Sequence, residues 1–521
     1  MINPGLIYLI GSIGLYIIKR DWRKYLALIT AVSAGGVVFL LPQGQLLKLP
    51  FLDFELILLE VTPINRFIAL IFIFFNLASL IYGINLFSRK DYWLSYFYIG
   101  SSLAIIFVGD FFSFYICWEL MTISSYFLIF NNQKPITRQT SYYYFIMHLV
   151  GAISLLWGIL LHYNAVGSMA LTTVQAGLPF FILAVGIKLA FIGLHTWLPK
   201  TYAETPFYIS VILSAYTTKV GVYACYKLLR NINYLSYFGV FSAIIAALWA
   251  LRQNKLRKIL SYLLVSQIGY MIMGIGSASK LSRVGTVLHL GNHIVYKGLL
   301  FMTIGVIIYT TGEEDLRKLN DLAEKLPKVT FLSLVGLTSI AGLPFSNGHI
   351  SKLLIKKGLT NSVLSWGLYL AGIINAVVVI KIAYFVFFDK NKTQIKIDKK
   401  PNKNMMIAMI ILTGLNFLVG LKPQLGLKFL GGIDKEISYF SLHYIWTAVQ
   451  PTLIAVILFK IFYDLIKPQD YQKYNFDAYI LFGYGIDALG KQLSKWHNGD
   501  LQRYILWILT ALVLLWGQAF I

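Results

Sequence analysis

The sequence predicts an all-α polytopic membrane protein of about 14–16 transmembrane helices. Three observations predict it. Apolar runs near 20 residues recur from end to end, the length that crosses a bilayer core. Charged residues make up 13% of the 521-residue chain, against about 25% in soluble domains. Lys and Arg collect in short segments between the apolar runs, as the positive-inside rule expects.

The runs fall near 4–18, 25–42, 64–87, 93–109, 111–130, 142–162, 178–199, 206–229, 235–251, 259–277, 284–309, 328–344 (resuming after a break to about 359), 363–388, 404–421, 438–466 and 501–520. The first is followed at once by others, so it reads as a retained helix and not a cleaved signal. Residues 50–62, "PFLDFELILLEVT", alternate in part and predict a small surface hairpin. The basic segments "KRDWRK" (19–24), "SRKD" (88–91), "QKPITR" (133–138), "RQNKLRK" (252–258) and "DKNKTQIKIDKKPNKN" (389–404) all fall on one side with this span order. That side is the cytoplasm, and both termini then lie outside. The cytoplasmic loop 312–328 reads as a short amphipathic helix.

Several function classes drop out. The net charge of +23 is accounted for by the loops, so no nucleic acid is expected. Two cysteines, both in apolar runs, are too few for an iron–sulfur cluster, which takes about four thiolates. The eight histidines form no metal-binding pattern, and no GxGxxG after a strand and no P-loop occurs. The expectation is a chain with no metal, no cofactor and no catalytic centre of its own.

What remains is a set of ionisable residues inside apolar runs. Lys188 lies about ten residues from either end of its run, so about 15 Å from each edge. That is too far to snorkel, and a lysine there costs about 2.5–3.5 kcal/mol. A structural ion pair is the plain alternative; function is the default for an intramembrane charge. Glu119 and Lys219 are also mid-span. His289, His293 and Lys297 follow at i, i+4 and i+8, so they share one helix face and form a column able to pass protons. A single histidine would more often be a satisfied core residue. Lys352 follows the break in "SIAGLPFSNGHISK". His148 and His195 are left open, His195 lying at a helix break. Lys227, Arg230 and Lys381 are close enough to span ends to snorkel, and Asp110 caps the next helix.

Two broken segments look alike. "LAFIGLHTWLP" interrupts the seventh run and "SIAGLPFSNGHISK" the twelfth. Paired breaks of this kind point to a transporter with inverted repeats. Their five-run separation is odd, which would invert the second copy. Burial disfavours a charged lysine, and a carboxylate within about 4–6 Å restores it. Moving Glu119 towards or away from Lys188 would therefore switch the lysine between holding and releasing a proton.

The segments "YICWELMTISSYFLI", "GIKLAFIGLHTWLPKTYAETPFYISVILSAYTTKVGVY", "ALRQNKLRKILSYLLVSQIGY", "HLGNHIVYKGLLF" and "SIAGLPFSNGHISK" resemble successive motifs of the proton-translocating antiporter-like subunits. That family includes the large membrane-arm subunits of respiratory complex I, Mrp Na+/H+ antiporter subunits, and subunits of group 4 membrane-bound hydrogenases and related reductases. The resemblance covers about residues 100–360. It implies helices 1–3 over 1–92, a first five-helix repeat (helices 4–8) over 93–230, an inverted second repeat (helices 9–13) over 231–389, and C-terminal helices over 390–521 with a short amphipathic connector at 467–500. It implies that Glu119 and Lys188 are the coupling pair. Lys219, His293 and Lys297 would be the central relay and Lys352 the terminal lysine. His289 joins the column, and His195 and His349 are accessory candidates. Two departures stand out: Lys255 where the family often has Asp, and His349 after Gly348 where it often has Phe.

The functional expectation is a proton-translocating subunit of a larger respiratory or hydrogenase-type oxidoreductase complex in a prokaryotic cell membrane. Partner chains, including iron–sulfur or hydrogenase-like peripheral subunits, would supply the redox energy. An Mrp-type Na+/H+ antiporter subunit without redox partners is the alternative.

Overall fold

A computed structural model describes residues 2–131, 134–390, 395–430, 437–469 and 491. The chain divides into two units, Met1–Tyr471 and Gln472–Ile521, and every element named here belongs to the first. The connector expected at 467–500 and the last apolar run at 501–520 lie almost wholly outside the described residues.

The elements run α1 (Pro4–Ile17), α2 (Arg20–Leu40), β1 (Gly44–Phe51), β2 (Phe54–Val61), α3 (Pro63–Gly83), α4 (Arg89–Phe107), α5 (Phe111–Phe130) and α6 (Pro135–Val166). Then come α7 (Leu178–Leu189), α8 (Trp197–Glu204), α9 (Phe207–Leu213), α10 (Thr217–Leu228), α11 (Asn233–Leu251), α12 (Leu256–Gly276) and α13 (Lys280–Thr311). The rest are α14 (Leu322–Lys325), α15 (Pro327–Ala341), α16 (Asn347–Lys357), α17 (Ser362–Ala383), α18 (Lys403–Leu421), α19 (Gln424–Phe429), α20 (Leu442–Ile461) and α21 (Tyr463–Ile466), with a π-helical turn at Tyr384–Phe388 closing α17. Among the described residues ten helices are long and apolar enough to cross a bilayer, and three shorter ones are also apolar. The helical multi-pass class that the sequence predicts is the one observed.

Burial sorts the helices into layers. Within the most apolar stretch of α12, 94% of residues are buried, and within that of α13, 83%; in α2 and α20 the shares are 28% and 17%. So α12 and α13 are surrounded by protein, while α2 and α20 keep one broad face for lipid. Small residues let the central helices close up. A Cβ on Gly239 of α11 would come within 2.6 Å of the Gly269 carbonyl oxygen of α12, so only glycine permits that backbone approach.

The hairpin is real and longer than expected. It pairs Gly44 with Val61 and Phe51 with Phe54, with a bulge between Gln45 and Lys48. The bulge interrupts the alternation, which is why only residues 50–62 announced it. Ile57, Leu59 and Val61 alternate into the protein. Asp110 pins the hairpin to α5: one carboxylate oxygen accepts from Ser113 N, capping the helix, and the other from Ile57 N, both at 2.7 Å.

The loop at 312–328 is not an amphipathic helix. Before α15 begins at Pro327, only Leu322–Lys325 is helical. The preceding backbone pairs with the 254–256 segment instead, through Leu256 N to Glu314 O (2.9 Å) and Leu316 N to Asn254 O (3.0 Å). Arg257 Nε adds a 2.6 Å bond to Glu314 Oε2. Strand-like pairing uses the donors and acceptors that a helix would have needed.

Candidate functional site: a buried series of lysines and histidines

Lys188 is not in the middle of an unbroken helix. It is the second-last residue of the twelve-residue α7, and the chain turns out of helix at Ala190, whose φ is +56°. A left-handed alanine is strained by about 1–2 kcal/mol, and packing must hold it. The Ile187 carbonyl freed by the break accepts from Trp197 Nε1 at 2.9 Å. A cation in the last turn also meets the negative end of the helix dipole, which lowers the cost the sequence assigned to it.

Lys188 is 1% exposed. Its Nζ donates to Thr122 Oγ1 at 2.9 Å and lies 4.4 Å from the centre of the Trp118 ring. Both partners are on α5, either side of Glu119 in sequence. Glu119 is within electrostatic reach of Lys188, yet its Oε1 is buried with no hydrogen-bond partner. Thr122 holds the ammonium in this structure, and the carboxylate stands off.

The eighth run is broken too, which the sequence did not disclose. Its first piece, α9, ends at Leu213 and its second, α10, starts at Thr217. Lys219 fills the gap: its Nζ donates to Ser214 O at 2.5 Å and to Thr218 Oγ1 at 3.3 Å. Between Lys188 and Lys219 lies a seam of hydroxyls. Ser125 Oγ is 2.8 Å from Tyr144 OH, and Tyr98 OH is 2.6 Å from Thr217 Oγ1.

The α13 column is fully buried, with His289, His293 and Lys297 all at 0% exposure. His289 Nδ1 is 2.8 Å from Ser351 Oγ of α16. Lys297 Nζ donates to Leu260 O of α12 at 2.8 Å. Both ring nitrogens of His293 are buried without a partner. Lys219 and Lys352 are both within electrostatic reach of His293 and Lys297.

Lys352 sits on α16 after the second break, where α15 stops at Ala341. Its Nζ donates to Ile340 O, again a carbonyl near a helix end. Gly342, with φ +77°, lies against it: a Cβ there would be 3.3 Å from Lys352 Cδ. Unlike the other three lysines, Lys352 is only half-buried, because it borders a cavity of about 90 Å³.

The remaining candidates divide. His195 is buried and stacks on Trp249 with ring centres 4.7 Å apart. His349 is buried and borders the Lys352 cavity. His148 is buried against Trp197 at 4.6 Å, with Nε2 unpartnered. Lys381 does not snorkel. It is 0% exposed and donates to Leu251 O (2.5 Å) and Gln253 O (3.0 Å), closing the C-terminal end of α11. Lys227 is not a free cation at the span end either, but bonds Glu60 of the hairpin at 3.0 Å. Sequence reasoning missed Thr122, Tyr144 and Gln267, and left His148 open. Gln267 Oε1 is 3.4 Å from Tyr296 OH beside the column, and a glutamine inside the apolar run "SYLLVSQIGY" was the available signal.

Fold and site together define a polytopic helical membrane subunit that holds several ionisable groups inside its core. Residues 108–379 match the family described as NADH:quinone oxidoreductase/Mrp antiporter, TM. The chain belongs to that family. A Na(+)/H(+) antiporter subunit of Alkalihalophilus pseudofirmus is 25% identical over 366 residues, 64% of this chain and 74% of that one. A subunit of the membrane-bound sulfane sulfur reductase, an archaeal respiratory membrane complex, superposes with a TM-score of 0.79 at 22% identity, covering 99% of both chains. A chain of the Mrp complex from Dietzia sp. DQ12-45-1b gives 0.82 at 18% identity, over 99% of this chain and 62% of that one. At these identities the two structures establish the fold alone.

Proposed function

We propose that this chain is a proton-translocating subunit of a multisubunit respiratory or hydrogenase-type complex of a prokaryotic cell membrane. Protons pass along Glu119, Lys188, Lys219, the His289–His293–Lys297 column and Lys352, driven by redox chemistry on partner subunits. The supporting observation is the choice of partners. The four lysines hydrogen-bond to neutral oxygens: Thr122 Oγ1, Ser214 O, Leu260 O and Ile340 O. A neutral oxygen accepts from an ammonium and from an amine alike, so each lysine keeps its anchor whether or not it carries the proton. A fixed carboxylate partner favours the charged form; outside the series Lys227 has such a partner, Glu60 at 3.0 Å. Glu119 is the one carboxylate beside the series among the described residues, and its standing off from Lys188 fits a movable bias.

The basic loops place the cytoplasm on the side of 252–258 and 312–328 and both termini outside. A second reading, an Mrp-type Na+/H+ antiporter subunit without redox partners, is favoured by the likeness to the antiporter subunit of Alkalihalophilus pseudofirmus. Purification with native partners separates the two: iron–sulfur subunits support the first, and small membrane subunits alone the second. In liposomes holding the purified complex, Lys188→Met and Glu119→Gln are expected to abolish proton movement while the complex still assembles. Wild-type proton flux in either would overturn the assignment.

A further inference from the structure

The cavity beside Lys352 has no part in that relay as drawn. We propose that it is the outlet chamber of the series, in which Lys356 takes the proton from Lys352 and passes it to the outer water, with α20 as the chamber's outer wall. The inference rests on the reading of Lys352 as the terminal relay lysine.

Four observations carry it. First, Lys352 is half-buried and borders a water-sized space, whereas Lys188, Lys219 and Lys297 are at most 1% exposed. Second, the cavity of about 90 Å³ is lined by Tyr270, His349, Lys352, Lys356, Tyr369 and Pro451, among others. A single water needs about 10–15 Å³ measured this way, with 2–4 polar partners, so several waters fit. Third, His349, Lys352 and Lys356 stand at i, i+3 and i+7, on one face of α16. Exposure rises along that helix from buried His349, through half-buried Lys352 and Lys356, to exposed Lys357. The chain runs from the break towards the outer end, so the stair descends outward. Fourth, Pro451 lies inside α20 and has no N–H for the Thr447 carbonyl four residues earlier. Thr447 lines the same cavity, so α20 offers an acceptor there as well as a wall.

The groups facing Lys356 are Lys352 and His349 of α16, Tyr270 of α12 and Tyr369 of α17, whose ring centre is 5.4 Å from Lys356 Nζ. The lining holds no carboxylate among the described residues. Nothing there traps a proton as an ion pair, which suits a release chamber. In the step itself the Lys352 ammonium loses one proton and becomes an amine. The Lys356 amine gains that proton, directly or through chamber water, and gives it to bulk water.

Two experiments test this on the intact complex. In a Cys117→Ser, Cys225→Ser background, Lys356→Cys is expected to react with the membrane-impermeant thiol reagent MTSET from the outer side only. Gly372→Leu should slow that reaction several-fold, because a Cβ at 372 already lies 3.7 Å from Tyr270 OH and 4.0 Å from Pro451 Cβ. Reaction from the cytoplasmic side, no reaction, or indifference to Gly372→Leu would overturn the chamber. In the transport assay Lys356→Met should cut proton release several-fold. Lys356→His should restore it and Lys356→Arg should not, since a guanidinium keeps its proton. If Lys352→Met stops transport while Lys356→Met runs at the wild-type rate, the outlet inference fails alone. If Lys352→Met runs normally, the relay reading fails with it.

Discussion

Each buried lysine in the series is held by a neutral oxygen. Three of the four lysines donate to backbone carbonyls, and two of those carbonyls lie at helix breaks. The exception, Lys188, depends on one side chain. Thr122 also donates its own hydroxyl to Trp118 O at 3.0 Å, so its oxygen is oriented to accept from Lys188. Thr122→Val removes the acceptor and leaves a buried ammonium to seek Glu119. Proton flux is expected to fall several-fold, with Thr122→Ser restoring most of it; flux equal to wild type in the valine variant would show that the bond is incidental. The contrast with Lys381 is useful. Lys381→Met leaves the Leu251 and Gln253 carbonyls without that donor, at a cost of about 1–3 kcal/mol. A lower melting temperature of the complex with flux retained is the expected result. The charges were legible as residues because an apolar background isolates them. Their partners were not, since a serine or threonine in a helix usually spends its hydroxyl on a carbonyl one turn back and so looks silent.

Among elements, the breaks do most to shape the site. Two of the three pair a glycine at positive φ with a strained residue: Gly193 with Ala190 and Gly342 with Phe345. The sequence disclosed these two through Gly and Pro. It did not disclose the break at 214–216, whose "SAY" carries neither and which is sustained by the Lys219 bond. Gly342→Ala adds about 1–2 kcal/mol of backbone strain and presses a methyl towards Lys352 Cδ. Loss of flux with the complex intact is expected, and normal flux would mean that the Lys352 bond tolerates displacement. The 313–318 turn makes a different prediction. Burial pushes the Asp315 carboxyl up, but hydrogen bonds from Arg317 outweigh it and hold the carboxyl below its usual range. Burial likewise raises Glu313, and its bond from Lys318 wins. Groups depressed in the folded state stabilise the turn at neutral pH, and that contribution is lost as pH falls below the ordinary carboxylate range of about 4. Amide exchange at Leu256 and Leu316 should therefore quicken in acid beyond the intrinsic rate, and Asp315→Asn should blunt the change.

At the scale of the whole molecule the buried charges form two groups, and the sequence separated them only in part. The hydropathy pattern made the membrane class plain, ionisable residues inside apolar runs located the series, and the two disclosed breaks marked Lys188 and Lys352. It could not say which span-end lysines reach water, because that depends on what packs against the span. Lys227 shows the difficulty. Its position at the end of α10 suggests snorkelling, but the hairpin from residues 44–61 covers it and supplies Glu60. Both side chains are about one-fifth exposed, so the pair is neither free in water nor desolvated. Lys227→Met strands the carboxylate and should cost up to about 1.5–3 kcal/mol, the range for a hydrogen bond to a charged group. The cost should fall on the hairpin, which Asp110 still holds at Ile57. Lys227→Met should thus lower the melting temperature and leave proton flux at the wild-type level, and Glu60→Gln should do the same. Their double variant should cost little more than either alone, because the two act through one contact. Lys188→Met should show the reverse pattern, with flux abolished and the melting temperature kept or raised, since it removes a buried charge and keeps its volume. If Lys227→Met abolished flux as Lys188→Met is expected to, the partner rule would fail: a lysine locked to a carboxylate would be carrying protons, and the series would extend to the hairpin.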